Sequence, residues 1–218
     1  MFLRINRISL FLLLFLCSVA AHGSVMIVGG LTHEYTAKPG ETYKGEILIS
    51  NQEKEPAEVK VYQTDYLFYA DQRVLYGDPG KTIRSNANWI TYTPKRMTVP
   101  PESTMTVNYT VNVPDDRTMK GTYWSIFMVE GIPEGSAESG MGADGEITMG
   151  LKQLFRYGIQ VVTHMGNTGS TQIRFTGTRL LKVEETKQIL ELDVENIGER
   201  WVRATLWAEL YDDDGNFM

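Results

Sequence analysis

The chain of 218 residues is 42% hydrophobic and 11% aromatic, and its 21 Lys and Arg against 27 Asp and Glu give a formal net charge of -6 at pH 7. This balance excludes the basic stripe by which a nucleic-acid binder neutralises phosphates. One cysteine, Cys17, excludes a disulfide framework, so packed cores must supply the stability.

Residues 1–21 read as a secretory signal peptide. Arg4 and Arg7 precede the apolar run of residues 8–16, and Ser18, Val19, Ala20 and Ala21 are the small residues that cleavage requires. The run is shorter than the roughly 20 apolar residues of a membrane-spanning helix, and no later stretch reaches that length. No integral membrane segment is therefore expected after cleavage. Leu16 is bulky where lipoprotein processing at Cys17 would need a small residue.

The mature chain then reads as β almost throughout. "YKGEILISNQ" (43–52), "AEVKVYQTDYLFY" (57–69), "TMTVNYTVNV" (104–113) and "GTYWSIFMVE" (121–130) carry β-branched and aromatic residues in period-two alternation. Polar turns rich in Gly, Pro, Asn and Asp separate them, at 38–41, 51–56, 76–81 and 113–121. Within residues 90–111, Pro94 and the Pro100-Pro101 pair break runs of Thr, Val, Ile and Tyr. That pattern predicts a strand, a kink, a corner and a second strand, because proline lacks the ladder donor.

Residues 131–145, "GIPEGSAESGMGADG", form a long Gly-rich loop in this reading. A strand at 146–162 follows, with Ile147, Met149, Leu151, Phe155, Tyr157, Ile159 and Val161 on one parity and Gln153 as the interruption. After a linker at 163–171, strands at 172–181, 188–198 and 201–212 open a second β-domain. Three or four strands in about 50 residues do not close a sandwich, so this domain is expected to be incomplete at its C-terminus.

Catalytic patterns are missing from the sequence. His22, His33 and His164 lie far apart without ligand spacing, and there is no nucleophile elbow, phosphate loop or dinucleotide fingerprint. Asp212, Asp214 and Asn216 imitate the start of a calcium loop, but without its distal Glu a hairpin turn is the better reading. No enzyme activity, cofactor or metal is expected. Trp89, Trp124, Trp201 and Trp207 are read as packing residues.

The order of these pieces resembles the periplasmic pilus (fimbrial) chaperones, the PapD-like family of two immunoglobulin-like domains. The matching pieces are "GETYKGEILISNQEKEPAEVKVYQ", "WITYTPKRMTVPPESTMTVNYTV", "GTYWSIFMVEGIPE" and, after the long loop, "EITMGLKQLFRYGI". The match covers residues 26 to about 165 well and the remainder loosely. It implies an all-β, immunoglobulin-like sandwich, with residues 24–165 as the first domain and 166–218 as a partial second one.

The resemblance further implies a periplasmic chaperone-like protein that binds exported pilus or fimbrial-type subunits by edge-strand donation. Ile147, Met149 and Leu151 would then be the donated side chains, each contributing roughly 1.5 to 3 kcal/mol when buried. Lys152 and Arg156 are the candidate anchors for the subunit's terminal carboxylate. The family's anchoring Arg on the first strand has no counterpart, since Thr32 or His33 stands in its approximate place. In the alternative reading the chain is a structural or adhesive immunoglobulin-like module of the cell envelope, and Ile147, Met149 and Leu151 face its own core.

Overall fold

A computed structural model describes residues 25–69, 71–133, 136–139, 154–183, 188–211 and 214–217. In chain order its strands are β1 (Met26–Val28), β2 (Thr32–Ala37), β3 (Thr42–Asn51), β4 (Ala57–Phe68), β5 (Val74–Gly77), β6 (Ile90–Thr93), β7 (Arg96–Val99), β8 (Ser103–Asn112), β9 (Gly121–Ile132), β10 (Arg156–Met165), β11 (Ile173–Lys182) and β12 (Gln188–Asn196). A short 3-10 helix, Ala87–Trp89, precedes β6, and the described residues contain no α-helix.

The first ten strands form two sheets. One has the order β1-β3-β8-β6, and the other runs β2-β10-β9-β4-β5 with β7 added to β4. Period-two patterning turns one side of each sheet inward. Ile47 and Ile49 of β3 and Val107, Tyr109 and Val111 of β8 meet Val59 and Val61 of β4, Phe127 and Val129 of β9, and Ile159 and Val161 of β10 in a single buried core. Two sheets packed in this strand order, antiparallel except for the β2–β10 pair, make an immunoglobulin-like sandwich, and the fold is all-β.

Two strands change sheets. The chain leaves the first sheet after Val28, passes Gly29 at φ +107, a conformation that favours glycine, and enters the second sheet as β2. Likewise β6 pairs with β8, whereas β7, beyond the cis peptide Thr93-Pro94, pairs with β4. Pro100 and Pro101 make the corner into β8, where the Pro100 carbonyl accepts the Ser103 hydroxyl at 2.7 Å and the Asn51 amide at 3.3 Å. The prolines thus stand where the chain passes between sheets and turns a corner, positions at which no ladder donor is needed.

Three expectations shift. The short edge strand β5 occupies residues that the sequence assigned partly to a turn, and β10 runs on to Met165 inside the expected linker. Residues 201–210, expected to be a strand, are in none. The pattern there is apolar at every second position, but among the described residues no neighbour supplies the hydrogen-bond ladder that defines a strand. Beyond the sandwich, among the described residues β11 and β12 pair only with each other, and none after Met165 is buried. The two parts touch at Thr122, whose N–H donates to the Glu199 carbonyl at 2.9 Å and whose Oγ1 accepts the Trp201 N–H at 3.1 Å.

Candidate edge-strand interface

Strand β10 pairs with β9 along its whole length, from Arg156↔Glu130 to Met165↔Gly121. Among the described residues its other side is covered only in part. Parallel pairing with β2 begins at Gln160↔Thr32 and ends at Met165↔Ala37, and the Gln160 N–H donating to the Leu31 carbonyl at 2.9 Å marks its start. Backbone groups of alternate residues point to the same edge of a strand. Those of Arg156 and Gly158 therefore point where Gln160 does, but among the described residues no strand meets them. The gap exists because the first part of the N-terminal segment is spent on the other sheet, as β1. Leu31 and Leu154, which lead into the two sides of the gap, are both exposed at 46%.

The odd positions of β10 face the core. Ile159, Val161 and Met165 are buried, and buried Thr163 lies 2.7 Å from the Tyr43 hydroxyl. Burial pushes the Tyr43 phenol up to about 12, the bond to Thr163 opposing this. The even positions lie on the other side of the sheet, where Val162 is also buried and Arg156 is already engaged. Its Nε and Nη2 each lie 2.9 Å from Oε2 of Glu130, while Nζ of Lys60 lies 3.6 Å from the other oxygen. The register Lys60↔Glu130↔Arg156 lays these charges in one row across β4, β9 and β10. Glu130 is only 6% exposed, and the Tyr62 hydroxyl also donates to it at 3.1 Å. Arg156 is thus a partner of a buried carboxylate on the outer sheet face. The other expected site residues, Ile147, Met149, Leu151 and Lys152, lie outside the described residues.

The segment after β9 crosses the same outer face. Lys60 Nζ binds Glu138 Oε2 at 2.6 Å, and the Ser139 hydroxyl donates to Glu58 at 2.6 Å. The hydrogen bond with Glu138 leads the influences that raise the Lys60 pKa, and the same bond lowers that of Glu138.

On β2, Thr32 donates weakly to the Gln160 side chain at 3.4 Å, whereas His33 turns inward, its Nδ1 2.8 Å from the Tyr109 hydroxyl. His33 and His164 stand on the paired strands β2 and β10 but bind different partners. His164 sits at the other end of β10, with Nδ1 3.0 Å from Thr122 Oγ1 and Nε2 3.4 Å from Glu34. These contacts join residues up to 130 positions apart, and no local sequence signal announces them. Among the described residues no cluster of His, Cys, Asp and Glu could hold a metal ion.

No family model matches the chain, and no curated protein matches it. Solved structures do resemble it. The class 5 fimbriae chaperone CfaA is 11% identical, with 80% of this chain and 67% of that one covered at a TM-score of 0.49. The CsuC-CsuE chaperone–tip adhesion subunit complex of Acinetobacter baumannii is 11% identical over 90% of this chain and 85% of that one, at a TM-score of 0.44. An ASH/PapD-like domain of human CEP192 is 16% identical over 65% and 84%, at a TM-score of 0.41. These likenesses describe an arrangement of strands and not an activity.

Proposed function

We propose that the chain is a periplasmic chaperone-like protein that binds an extended segment of an exported subunit along the edge of β10. The observation that carries this reading is the gap in the second sheet, where β2 meets β10 only from Gln160 onward. An unpaired strand edge offers backbone donors and acceptors to an incoming chain, and alternate side chains give the pairing its specificity. The core-facing positions of β10 are odd, and the same parity in sequence carries Ile147, Met149 and Leu151, which on this reading fill the partner's apolar groove. Lys152 is the proposed contact for the partner's terminal carboxylate; Arg156 joins it only by leaving Glu130. The resemblance of the sequence to the pilus chaperones supplies the partner class, and the leader at residues 1–21 supplies the route to the periplasm.

The test is a periplasmic pull-down with the intact protein beside an Ile147→Asp, Met149→Asp double variant, each first checked for folding by circular dichroism. The expected outcome is a folded variant that loses a co-purifying exported protein. A variant that unfolds places these residues in the core and makes the chain a structural immunoglobulin-like module. A folded variant that keeps every partner rules out donation by this segment.

A further inference from the structure

The open stretch of β10 lies in line with β2, and the residues just before β2 match it in register. Continuing the parallel pairing beyond Gln160↔Thr32 sets Gly158 opposite Gly30, Arg156 opposite Val28 and Leu154 opposite Met26. In a parallel ladder a residue donates to the position before its partner and accepts from the position after it, as the bond from the Gln160 N–H to the Leu31 carbonyl shows. Continued in this way, the Gly29 carbonyl and the Leu31 N–H would serve Gly158. The Ile27 carbonyl and the Gly29 N–H would serve Arg156. Residues 27–31 thus hold a partner for every backbone group that faces the gap.

In the structure this segment lies on the other sheet. Met26, Ile27 and Val28 pair with Ser50, Ile49 and Leu48 of β3, three pairs against the six that join β2 to β10. Val25 is buried and Ile27 packs on the core, but Met26 and Val28 are exposed at 38% and 45%. The link between the two strands is free to turn. A Cβ on Gly29 would meet nothing within 4 Å, and one on Gly30 only the Thr32 carbonyl oxygen at 3.8 Å. Glycine is needed at 29 for its φ of +107 and not for room. With Gly29 extended instead, at the φ of about −120° of a parallel strand, β2 runs straight on along β10.

The side chains keep their faces in this second path. Ile27 and Leu31 share the odd parity of His33, Tyr35 and Ala37, so they would line the inner side next to Phe155 and Ile159. On the other side Met26 would meet Leu154, and both are exposed where they now stand. Resting on the reading of β10 as the docking edge, we propose that residues 25–31 are a built-in competitor for that edge: β1 swings about Gly29 from β3 to the open stretch of β10, and a partner strand docks only while β1 stays on β3. Loss of the β3 pairs and of Val25 burial opposes the swing, whereas pairing of Arg156 and Gly158 favours it. The balance sets the fraction of chains open to a partner, and apparent affinity scales with that fraction.

Amide hydrogen exchange on the full chain without a partner tests the swing. Gly29→Val penalises the positive φ and suits an extended strand, so it biases the chain toward the β10 position. Protection of the Gly158 amide is expected to rise severalfold over wild type, while the amides of residues 48–50 that bond β1 lose protection and β8 is unchanged. Gly29→Ala, with the same backbone bias and less bulk, should show the same transfer on a smaller scale. Adding Val28→Cys and Leu48→Cys, whose disulfide ties β1 to β3, should abolish the gain at Gly158. A loss at residues 48–50 with no gain at Gly158 means that β1 only frays, and it overturns the proposal. No change at either place, or a gain that persists once β1 is tied, overturns it as well. Exchange needs no partner, so this result and the partner loss in the pull-down can fail independently.

Discussion

Strand β10 alternates Ile159, Val161 and Met165 with Gly158, Gln160 and His164, and the β11–β12 ribbon alternates in the same manner. The register Leu180↔Leu190, Thr178↔Leu192 and Phe175↔Val194, with a bulge between Phe175 and Gly177, gathers one apolar face. The opposite face carries Arg179, paired with Glu191 at 3.0 Å and with Asp193 at 3.1 Å. Yet Ile159 and Val161 are 0% exposed, whereas Phe175 is 52% and Leu180 64% exposed. The difference is the second layer. An amphipathic sheet face is buried only when another sheet lies against it, and a two-stranded ribbon alone is marginal in water. Alternation therefore specifies a strand and its faces, whereas a core requires a partner face.

The largest expected effect follows from this contrast. Phe127→Ala removes a fully buried ring that lies 4.9 Å from Tyr92 and 5.5 Å from Tyr109, centroid to centroid, and should cost about 4 kcal/mol by lost transfer and cavity formation. Leu180→Ala, on the exposed face of the ribbon, should change stability by less than about 0.5 kcal/mol. Urea midpoints for the two variants make the comparison. A Leu180→Ala loss close to that of Phe127→Ala would mean that the ribbon has a covered face in solution.

An intermediate effect belongs to Asp65, which is buried in β4 and organises the loop leading to the 3-10 helix. Its Oδ1 accepts the Gly80 N–H at 2.9 Å, its Oδ2 accepts those of Lys81 and Thr82 at 2.8 and 2.7 Å, and the Ser85 hydroxyl also binds it. The loop then presents Asn86, whose amide donates to the Val161 carbonyl at 3.0 Å and to Thr163 Oγ1 at 2.9 Å, on the inner side of β10. Asp65→Ala strands these donors and should cost about 3 kcal/mol, read again as a urea midpoint. Burial pushes the Asp65 pKa up, but the Ser85 hydroxyl and the three backbone donors together outweigh it and hold the carboxyl below its ordinary 3.8. Its contribution is thus complete above pH 3.8 and lost as the pH falls through the folded value, so Asp65→Ala should flatten the acid limb of the stability profile.

What sequence could show follows the range of each interaction. Strands β3, β4, β8 and β9 were legible because alternation and turn residues are local, and the prolines at 94, 100 and 101 marked real changes of course. The gap in β10 was not legible. It depends on where β2 crosses to the second sheet, and that crossing is fixed by pairing with residues about 130 positions later. Arg156 could be named as a cation on the right strand, but Glu130, which engages it, becomes its neighbour only through the β9–β10 register. His33 likewise offered no ligand spacing, since its partner Tyr109 is 76 positions away on the facing sheet.

The smallest expected effect lies at the junction between sandwich and ribbon. Glu199 Oε2 accepts the Ser170 N–H at 2.8 Å and the Ser170 hydroxyl at 2.7 Å, while its own carbonyl accepts the Thr122 N–H. The backbone and hydroxyl bonds from Ser170 bring the Glu199 pKa down from 4.5 to about 2. A lowered carboxylate pKa gives a contribution that is complete above 4.5 and disappears as the pH falls toward about 2. Glu199→Gln keeps one acceptor oxygen but loses the charge that strengthens both bonds, so the urea midpoint of the sandwich should hardly move. Cleavage in the connecting residues 166–172 by an acid-tolerant protease should rise modestly, and its pH dependence between about pH 5 and about pH 3 should weaken, because the group that titrates there is gone. A variant cleaved no faster than wild type would show that Thr122, with its bonds to Glu199 and Trp201, holds the ribbon without the carboxylate. In that case the Thr122 bonds and the Arg203–Glu34 ion pair are enough to join the two regions, and the Glu199 carboxylate adds little to that junction.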